Sequence, residues 1–301
     1  MSSKHILVID IGSNTIHADI FLYEGGKKIF SIWNHSYVLK LGRYLVKNSV
    51  IPEKEIFLIL STLKEIKIGT AQYELTETFI FATSILREAK NKDEIIEYVK
   101  QDLSLNIQIL STEEEGLLAF QSVKTLFRIA HRNVFVIDIG GGSCECIEAV
   151  NGEIISNISY PMGFSKMKEY LHISDKCLHE NMNRLKLFSE QFFREMASSL
   201  NSQLHDVIVT SSVLKVIAII QDPKRTLWDL RNVRIRKRFL SSVQKRILQG
   251  DPIYGLEDDK RDLVLMGTVF FIDLIEFLKK DSLRICPWSI REAYVLEYSK
   301  S

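Results

Sequence analysis

The run Val-Ile-Asp-Ile-Gly occurs twice in this chain, beginning at Val8 and at Val136, nearly half of its 301 residues apart. The two surroundings, VIDIGSNTIHADIF and VIDIGGGSCECIEAV, share a plan in which an apolar strand-like run reaches an aspartate, crosses small residues and resumes as a second strand-like run. Further on, Glu24-Gly25-Gly26 in one copy and Asn151-Gly152 in the other introduce a third run. Strands separated by short Gly-containing turns are the mark of consecutive hairpins. Written twice, the pattern predicts a hairpin unit at the head of each of two domains, 1–124 and 125–301, joined by a tight hinge near residue 125 with no low-complexity linker.

Between and after the repeats, helical and strand-like periods alternate. Helices are predicted from Pro52 to about Ile66, Asn91 to Leu103, Ser111 or Thr112 to about Phe127, Ser174 to about Leu200, near Val213, Val233 to Leu248, Asp258 to Leu278, and from Ser289 onward. Strands are predicted at Thr78 to Thr83, Asn106 to Leu110, Asp206 to Val209 and Leu283 to Cys286. This is an α/β architecture in two lobes, mixed sheets flanked by helices.

Composition narrows the functional classes. Thirty-nine basic residues against 38 acidic ones leave a net charge of +1, so no nucleic-acid partner is expected and any polyanion site must be local. The opening MSSKHILVIDIG reaches Asp10 before a signal-peptide core accumulates, and no apolar run approaches about 18 residues, which leads to an expectation of a cytoplasmic protein away from membranes. Cysteines 144, 146, 177 and 286 contain no C-x-x-C pair and read as reduced thiols.

A glycine turn followed directly by a strand differs from a P-loop or a dinucleotide fingerprint, both of which need a helix there. Gly140, Gly141 and Gly142 are expected to adopt positive φ and gather backbone amides into an anion-binding concavity. Ser143, with Ser13 and Asn14 of the first loop, would add side-chain donors. Two such turns facing each other across a cleft would grip successive phosphates, whereas each alone also reads as an ordinary hairpin turn.

These paired motifs resemble the actin-like ATPase superfamily, built of two ribonuclease H-like lobes with a cleft between them, and more narrowly the exopolyphosphatase/guanosine pentaphosphate phosphohydrolase family. The resemblance is carried further by Ala82-Thr83-Ser84-Ile85-Leu86-Arg87-Glu88-Ala89 with Asn91, by Ile109-Leu110-Ser111-Thr112-Glu113-Glu114-Glu115-Gly116, by Pro161-Met162-Gly163, and by Arg261-Asp262 and Arg291-Glu292. It covers nearly the whole chain and is to the short, two-domain members, with the final helix able to pack back on the first lobe.

The resemblance implies a magnesium-dependent, or manganese-dependent, hydrolase of phosphoanhydrides. It makes Glu115 the general base, although Thr112-x-x-Glu115 also reads as a capping box. Asp138 and Glu145 bracket the second loop and are implied as metal ligands, while Asp10 either holds a metal-bound water or supports its turn. Arg87 is implied as a phosphate contact, and Lys40, Arg261 and Arg291 are further candidates. Nine basic residues between Lys224 and Arg246, against the single acid Asp229, read either as a track for a polyphosphate tail or as a solvated helix face. His17 is expected to be a packing residue.

The chain departs from the family pattern at Ser212-Val213, where members carry Gly-Thr in a loop facing a nucleotide or distal phosphate, and at Ala293, where a Gly follows Arg-Glu. The implied activity is therefore removal of terminal orthophosphate from inorganic polyphosphate. Conversion of guanosine pentaphosphate to the tetraphosphate is the nearest alternative, and a catalytically weak polyphosphate or nucleotide sensor is the alternative of another class. A homodimer is implied by the resemblance alone.

Overall fold

A computed structural model describes residues 3–26, 28–173, 178–197, 200 and 206–298. The strands form two sheets with one plan. In the first, β1 (Lys4–Ile11), β2 (Thr15–Tyr23) and β3 (Ile29–Val38) form an antiparallel meander, and β4 (Glu77–Ala82) and β5 (Gln108–Ile109) add in parallel on the other side of β1. The second repeats it with β6 (Val134–Ile139), β7 (Cys144–Val150) and β8 (Glu153–Tyr160) as the meander, β9 (Asp206–Thr210) and β11 (Ser282–Ile285) in parallel, and β10 (Arg234–Arg236) as an antiparallel edge. The duplication in the sequence is thus a duplication of topology.

Local chemistry explains the hairpins. Asn151 and Gly152, both at positive φ, make the two-residue turn between β7 and β8. Gly25 and Gly26 do the same work after β2.

The helices are α1 (Gly42–Lys47), α2 (Glu53–Gly69), α3 (Ser84–Glu88), α4 (Lys92–Leu103), α5 (Thr112–Phe127), α6 (Phe164–Tyr170), α7 (Leu178–Ala197), α8 (Ser212–Gln221), α9 (Lys237–Leu248), α10 (Arg261–Phe277) and α11 (Ile290–Tyr298). They divide the apolar interior into three cores. One lies between the first sheet and α2 and α4, through Ile9, Ile20, Ile59, Leu63 and Val99. Another lies between the second sheet and α7 to α10, through Ile137, Phe193, Leu240 and Phe271. The third joins the two halves: Val8 and Phe81 of the first sheet and Val136 and Ile147 of the second meet Phe120 and Val123 of α5 and Tyr294 and Val295 of α11. The last helix of each half therefore packs in the seam, with α11 reaching β1 and α5 reaching β7 and β8.

Phe270 shows how the second core is held. It is buried, and its ring meets Phe164, Phe192, Phe193 and Phe271 at centroid distances of 5.1 to 5.7 Å. Phe270→Ala is expected to cost about 3–5 kcal/mol through lost burial and the cavity left behind, read as the change in urea unfolding free energy.

Several expectations shift in detail. The helix expected from Val233 begins at Lys237, because Ile235 alternates with Arg234 and Arg236 on an edge strand that pairs with β11. The residues before Leu178 and after Ala197 that were included in the long helix, and Cys177, lie outside the described residues, apart from Leu200, which is not helical. Cys144, Cys146 and Cys286 are free thiols in the interior. Among the described residues no helix is long and apolar enough to cross a membrane.

Candidate active site

The two repeated turns meet. The first, between β1 and β2, is closed by Gly12 N donating to Thr15 O at 3.1 Å, and the second, between β6 and β7, by Gly140 N donating to Ser143 O at 3.2 Å. Each is then tied back by a short helix start. Gly42 N at α1 donates to Ser13 O, while Phe164 N donates to Gly140 O and both Ser165 N and Lys166 N donate to Gly141 O. The loop carbonyls are thereby engaged from outside. This explains Pro161-Met162-Gly163: that segment delivers the α6 amides to the second loop.

The glycines play a part different from the one expected. None of Gly140, Gly141 and Gly142 has positive φ. Two of them sit in close contact: a Cβ on Gly142 would lie 1.8 Å from Ser84 Oγ and 2.4 Å from Ser13 Oγ of the other half, and one on Gly141 would lie 2.8 Å from Ser165 Oγ at the start of α6. Ser13 and Ser84 themselves share a buried 2.8 Å hydrogen bond. Close approach, rather than a left-handed backbone, is what these two positions require.

A cavity of about 400 Å³ opens between the loops. Asp10, Ser13, Asn14, Glu115, Asp138, Gly140, Gly141, Gly142, Ser143 and Glu145 all line it. Register places the acids. Asp138 stands directly across the β6–β7 hairpin from Glu145, so the two carboxylates share one face beside the loop. On the opposite face of β7, Cys144 and Cys146 lie in the second core with their sulfurs 3.9 Å apart.

Glu115 arrives from a different direction. The cap of α5 is made by Ser111 and Glu114, whose side chains each bond the other's backbone amide, at 3.1 and 2.7 Å. The capping-box reading of Glu115 therefore moves one residue back, leaving its carboxylate to face the cavity. Helix α5 can carry it there because Gly116 has no side chain: a Cβ would fall 2.1 Å from Asn157 Oδ1 on β8.

Charge at this end is poorly compensated. Burial, reinforced by Glu145, pushes the Asp138 carboxyl well above its ordinary range, and burial with Glu145 does the same to Glu115 despite the neighbouring Arg87. Asp10 is raised to about 6 by burial, and its Oδ1 is buried without a hydrogen-bond partner among the described residues. Glu145 accepts from Ser159 Oγ at 2.8 Å and is also raised by burial. Four carboxylates lining one cavity, Glu115 and Glu145 buried and Asp10 and Asp138 half-buried, beside the donors of the two loops suit a hard cation.

Other expectations are relocated. Arg87 is not among the residues lining the cavity; its Nη1 pairs with Glu115 Oε2 and donates to Leu110 O at 2.8 Å, so it stands behind the carboxylate. Arg261 donates to Asp251 O, anchoring the turn before α10, and Lys40 lines a neighbouring cavity. None of the nine basic residues from 224 to 246 lines either cavity. Arg291 does line the first, paired at 2.5 Å with Asp19.

His17 is not simply a packing residue. It stands opposite Asp10 in the first hairpin, the place that Glu145 takes in the second, and its Nδ1 lies 2.8 Å from Ser36 Oγ. Burial and the nearby Arg291 draw its pKa down to about 3, so it lines the cavity as a neutral imidazole. Lys215, near the start of α8, also lines the cavity and went unnoticed in the sequence. The only signal was a lysine within one turn of Ser211-Ser212, and nothing in that spacing brings it near Asp138.

Comparison with known proteins agrees with this geometry. Residues 24–301 match the model of the Ppx/GppA phosphatase family. Exopolyphosphatase 1 of Mycobacterium tuberculosis is 23% identical over 306 residues, covering 96% of this chain and 86% of that protein. A bifunctional 3-dehydroquinate synthase/phosphatase of Fusobacterium nucleatum is 27% identical over 292 residues, covering 91% of this chain, which spans 43% of that relative's length. Among solved structures, an exopolyphosphatase from Cytophaga hutchinsonii superposes with a TM-score of 0.86 at 19% identity, covering 97% of each chain. The Aquifex aeolicus Ppx/GppA family member superposes at 0.80 with 21% identity, covering 99% of this chain and 98% of that one. The fold is shared with these solved structures, and with a match extending over most of its length the chain belongs to the Ppx/GppA phosphatase family and is a phosphoanhydride hydrolase.

Proposed function

We propose that this chain removes terminal orthophosphate from inorganic polyphosphate by attack of water, with Glu115 as general base and a divalent metal held by Asp138 and Glu145. The observation that carries the reading is the convergence of both repeated turns and four carboxylates on one cavity. Donors of Ser13, Asn14 and Ser143 and the amides of the glycine loop would seat the terminal phosphoryl group, and Glu115 would orient the water and take its proton. The ion pair with Arg87 fixes the rotamer of Glu115 for that task.

The metal fits the residues present. Among the described residues no three His, Cys, Asp or Glu side chains converge tightly enough to enclose an ion by themselves. Magnesium commonly binds in that situation, through one or two carboxylates, several waters and substrate oxygens. When bound it would neutralise phosphate charge and polarise the scissile group. Phosphate release from long-chain polyphosphate is expected with magnesium and is expected to vanish with EDTA; release undiminished by the chelator would remove the metal from this reading.

One observation favours guanosine pentaphosphate as a second reading. A neighbouring cavity of about 280 Å³ shares Asn14, Thr15, His17, Ser36 and Ser212 with the first. Its apolar floor includes Phe164, Val213, Val216 and Val264, and of its four lining lysines and arginines Arg43, Lys168 and Lys260 are paired with Glu55, Asp262 and Glu257, leaving Lys40 without an ion pair to a described residue. Such a surface suits a nucleoside better than a phosphate chain. Comparing kcat/KM on the two substrates separates the readings.

A further inference from the structure

The end of the second sheet opposite the catalytic cavity gathers arginines around one acid. Strand β9 runs from Asp206 to Thr210, and Thr210 lines the cavity, so Asp206 marks the opposite end. Register brings the arginines to it. Ile208, two residues on from Asp206 and on the same face, stands beside Arg284 of β11, and Arg284 stands directly opposite Arg234 of the edge strand β10. Arg132 reaches the same carboxylate from the connection between α5 and β6, which joins the two halves of the chain. Arg234 Nη2 lies 3.1 Å from Asp206 Oδ1, while Arg284 Nη1 and Arg132 Nη1 lie 3.4 and 3.5 Å from Oδ2.

One carboxylate does not satisfy this set. A guanidinium carries about five N–H donors and a carboxylate about four acceptor positions, so three forks leave most of their donors unanswered. Arginines facing each other in antiparallel register repel, which costs stability unless an anion lies between them. Arg284 Nε is buried with no hydrogen-bond partner among the described residues, and the guanidinium lies over the Phe127 ring, 5.1 Å from its centroid, at the end of α5. Burial, with Arg234 and Arg132 close by, lowers the Arg284 pKa against the pull of Asp206. Arg132 and Arg234 are half-exposed, which leaves the outer side of the cluster open to a ligand. Arg236, two residues along β10 from Arg234, is exposed and makes no ion pair with a described residue. None of these four arginines lines either cavity described above.

A brace between neighbouring strands needs one arginine for one aspartate. Converging forks with surplus positive charge are instead the chemistry that holds a tetrahedral dianion. We infer that Arg132, Arg234 and Arg284, with Arg236 at the edge, form a binding site for a phosphate group, separate from the catalytic cavity. Free orthophosphate and a phosphate carried by a larger molecule present the same oxygens to it. Once bound, the anion would tie the connection between the two halves to the outer strands of the second sheet. The site does not depend on the hydrolase reading above.

Titration calorimetry of orthophosphate and of adenosine monophosphate, without magnesium, tests it on the native chain and on Arg132→Gln, Arg234→Gln and Asp206→Asn, with melting curves to show that each variant is folded. Either arginine variant should weaken phosphate binding about tenfold to a hundredfold, the range of a lost charge-assisted hydrogen bond. Asp206→Asn should do the reverse and tighten binding at least about fivefold, because the one anion competing for the forks is gone. Phosphate should then raise the melting temperature of Asp206→Asn more than that of the native chain. An adenosine monophosphate arm that follows orthophosphate marks an esterified phosphate as a ligand, and one that does not marks the free ion. Unchanged binding in both arginine variants would overturn the site, since any phosphate is then held elsewhere. Unchanged or weaker binding in folded Asp206→Asn would overturn it too, by making the aspartate the arginines' own partner. Should Asp206→Asn not fold, the two arginine variants decide the matter alone.

Discussion

Glu115→Gln is expected to lower kcat on polyphosphate by about two to four orders of magnitude, the usual contribution of a general base, with KM changed only a few fold. The substitution keeps the size of the side chain and an oxygen for Arg87, but removes the proton acceptor. The side chain is buried, lines the cavity with Asp138 and Glu145, and is released from capping duty by Ser111 and Glu114. Stability is expected to change little or to rise, because a carboxylate raised by burial and by Glu145 becomes neutral. The decisive comparison is single-turnover kinetics beside a binding isotherm. A variant that binds polyphosphate normally and hydrolyses it within tenfold of the native rate would show that the base lies elsewhere.

Gly163→Ala is expected to be the most damaging single-methyl change in the active site. The backbone of Gly163 is extended, so alanine meets no conformational penalty there. The obstacle is steric: the new Cβ would fall 2.5 Å from Gly141 C, 2.6 Å from Gly140 O and 2.6 Å from Gly142 N. Backbone cannot step aside as a flexible side chain can. The loop or the start of α6 must shift, at about 1–3 kcal/mol, and the bonds from Phe164 N and Ser165 N to the loop carbonyls are stretched with it. A fall of at least tenfold in kcat/KM should accompany the drop in melting temperature. Gly140→Ala is the contrasting control, since its Cβ would have nothing within 4 Å and its φ is not positive. Its stability should stay within about 0.5 kcal/mol of native. Equal stability for both variants would contradict the packing described here.

The sequence and the structure part company at identifiable places. The repeated hairpins were legible because strand alternation and Asn-Gly turns act over a few neighbouring residues, and Asp138 and Glu145 were legible because a tight turn puts the residues on either side of it across from each other. Arg87's pairing with Glu115 was not legible, because a charge at the end of a strand has the same spacing whether it faces a ligand or a neighbouring acid. Glu115 was ambiguous for a related reason: Ser111 and Thr112 both begin plausible capping boxes, and only the helix start decides between them. β10 was read as helix because Val233, Ile235 and Leu240 satisfy either period until an edge of β11 is there to pair with.

By itself the sequence determined two copies of a strand-turn-strand unit, the alternation of helices and strands, and the acids and small residues at each turn, all consequences of short-range backbone preference and periodicity. Tertiary structure alone decided that the two turns touch, that α5 and α11 fill the seam between the sheets, that Arg87 stands behind Glu115, and that Lys215 faces the same cavity as Asp138. Those facts depend on which surfaces bury each other across stretches of chain from 28 residues, for Arg87 and Glu115, to well over a hundred. No local pattern encodes that: a side chain's partner is set by packing of whole elements, and the same residue type at the same spacing serves either outcome.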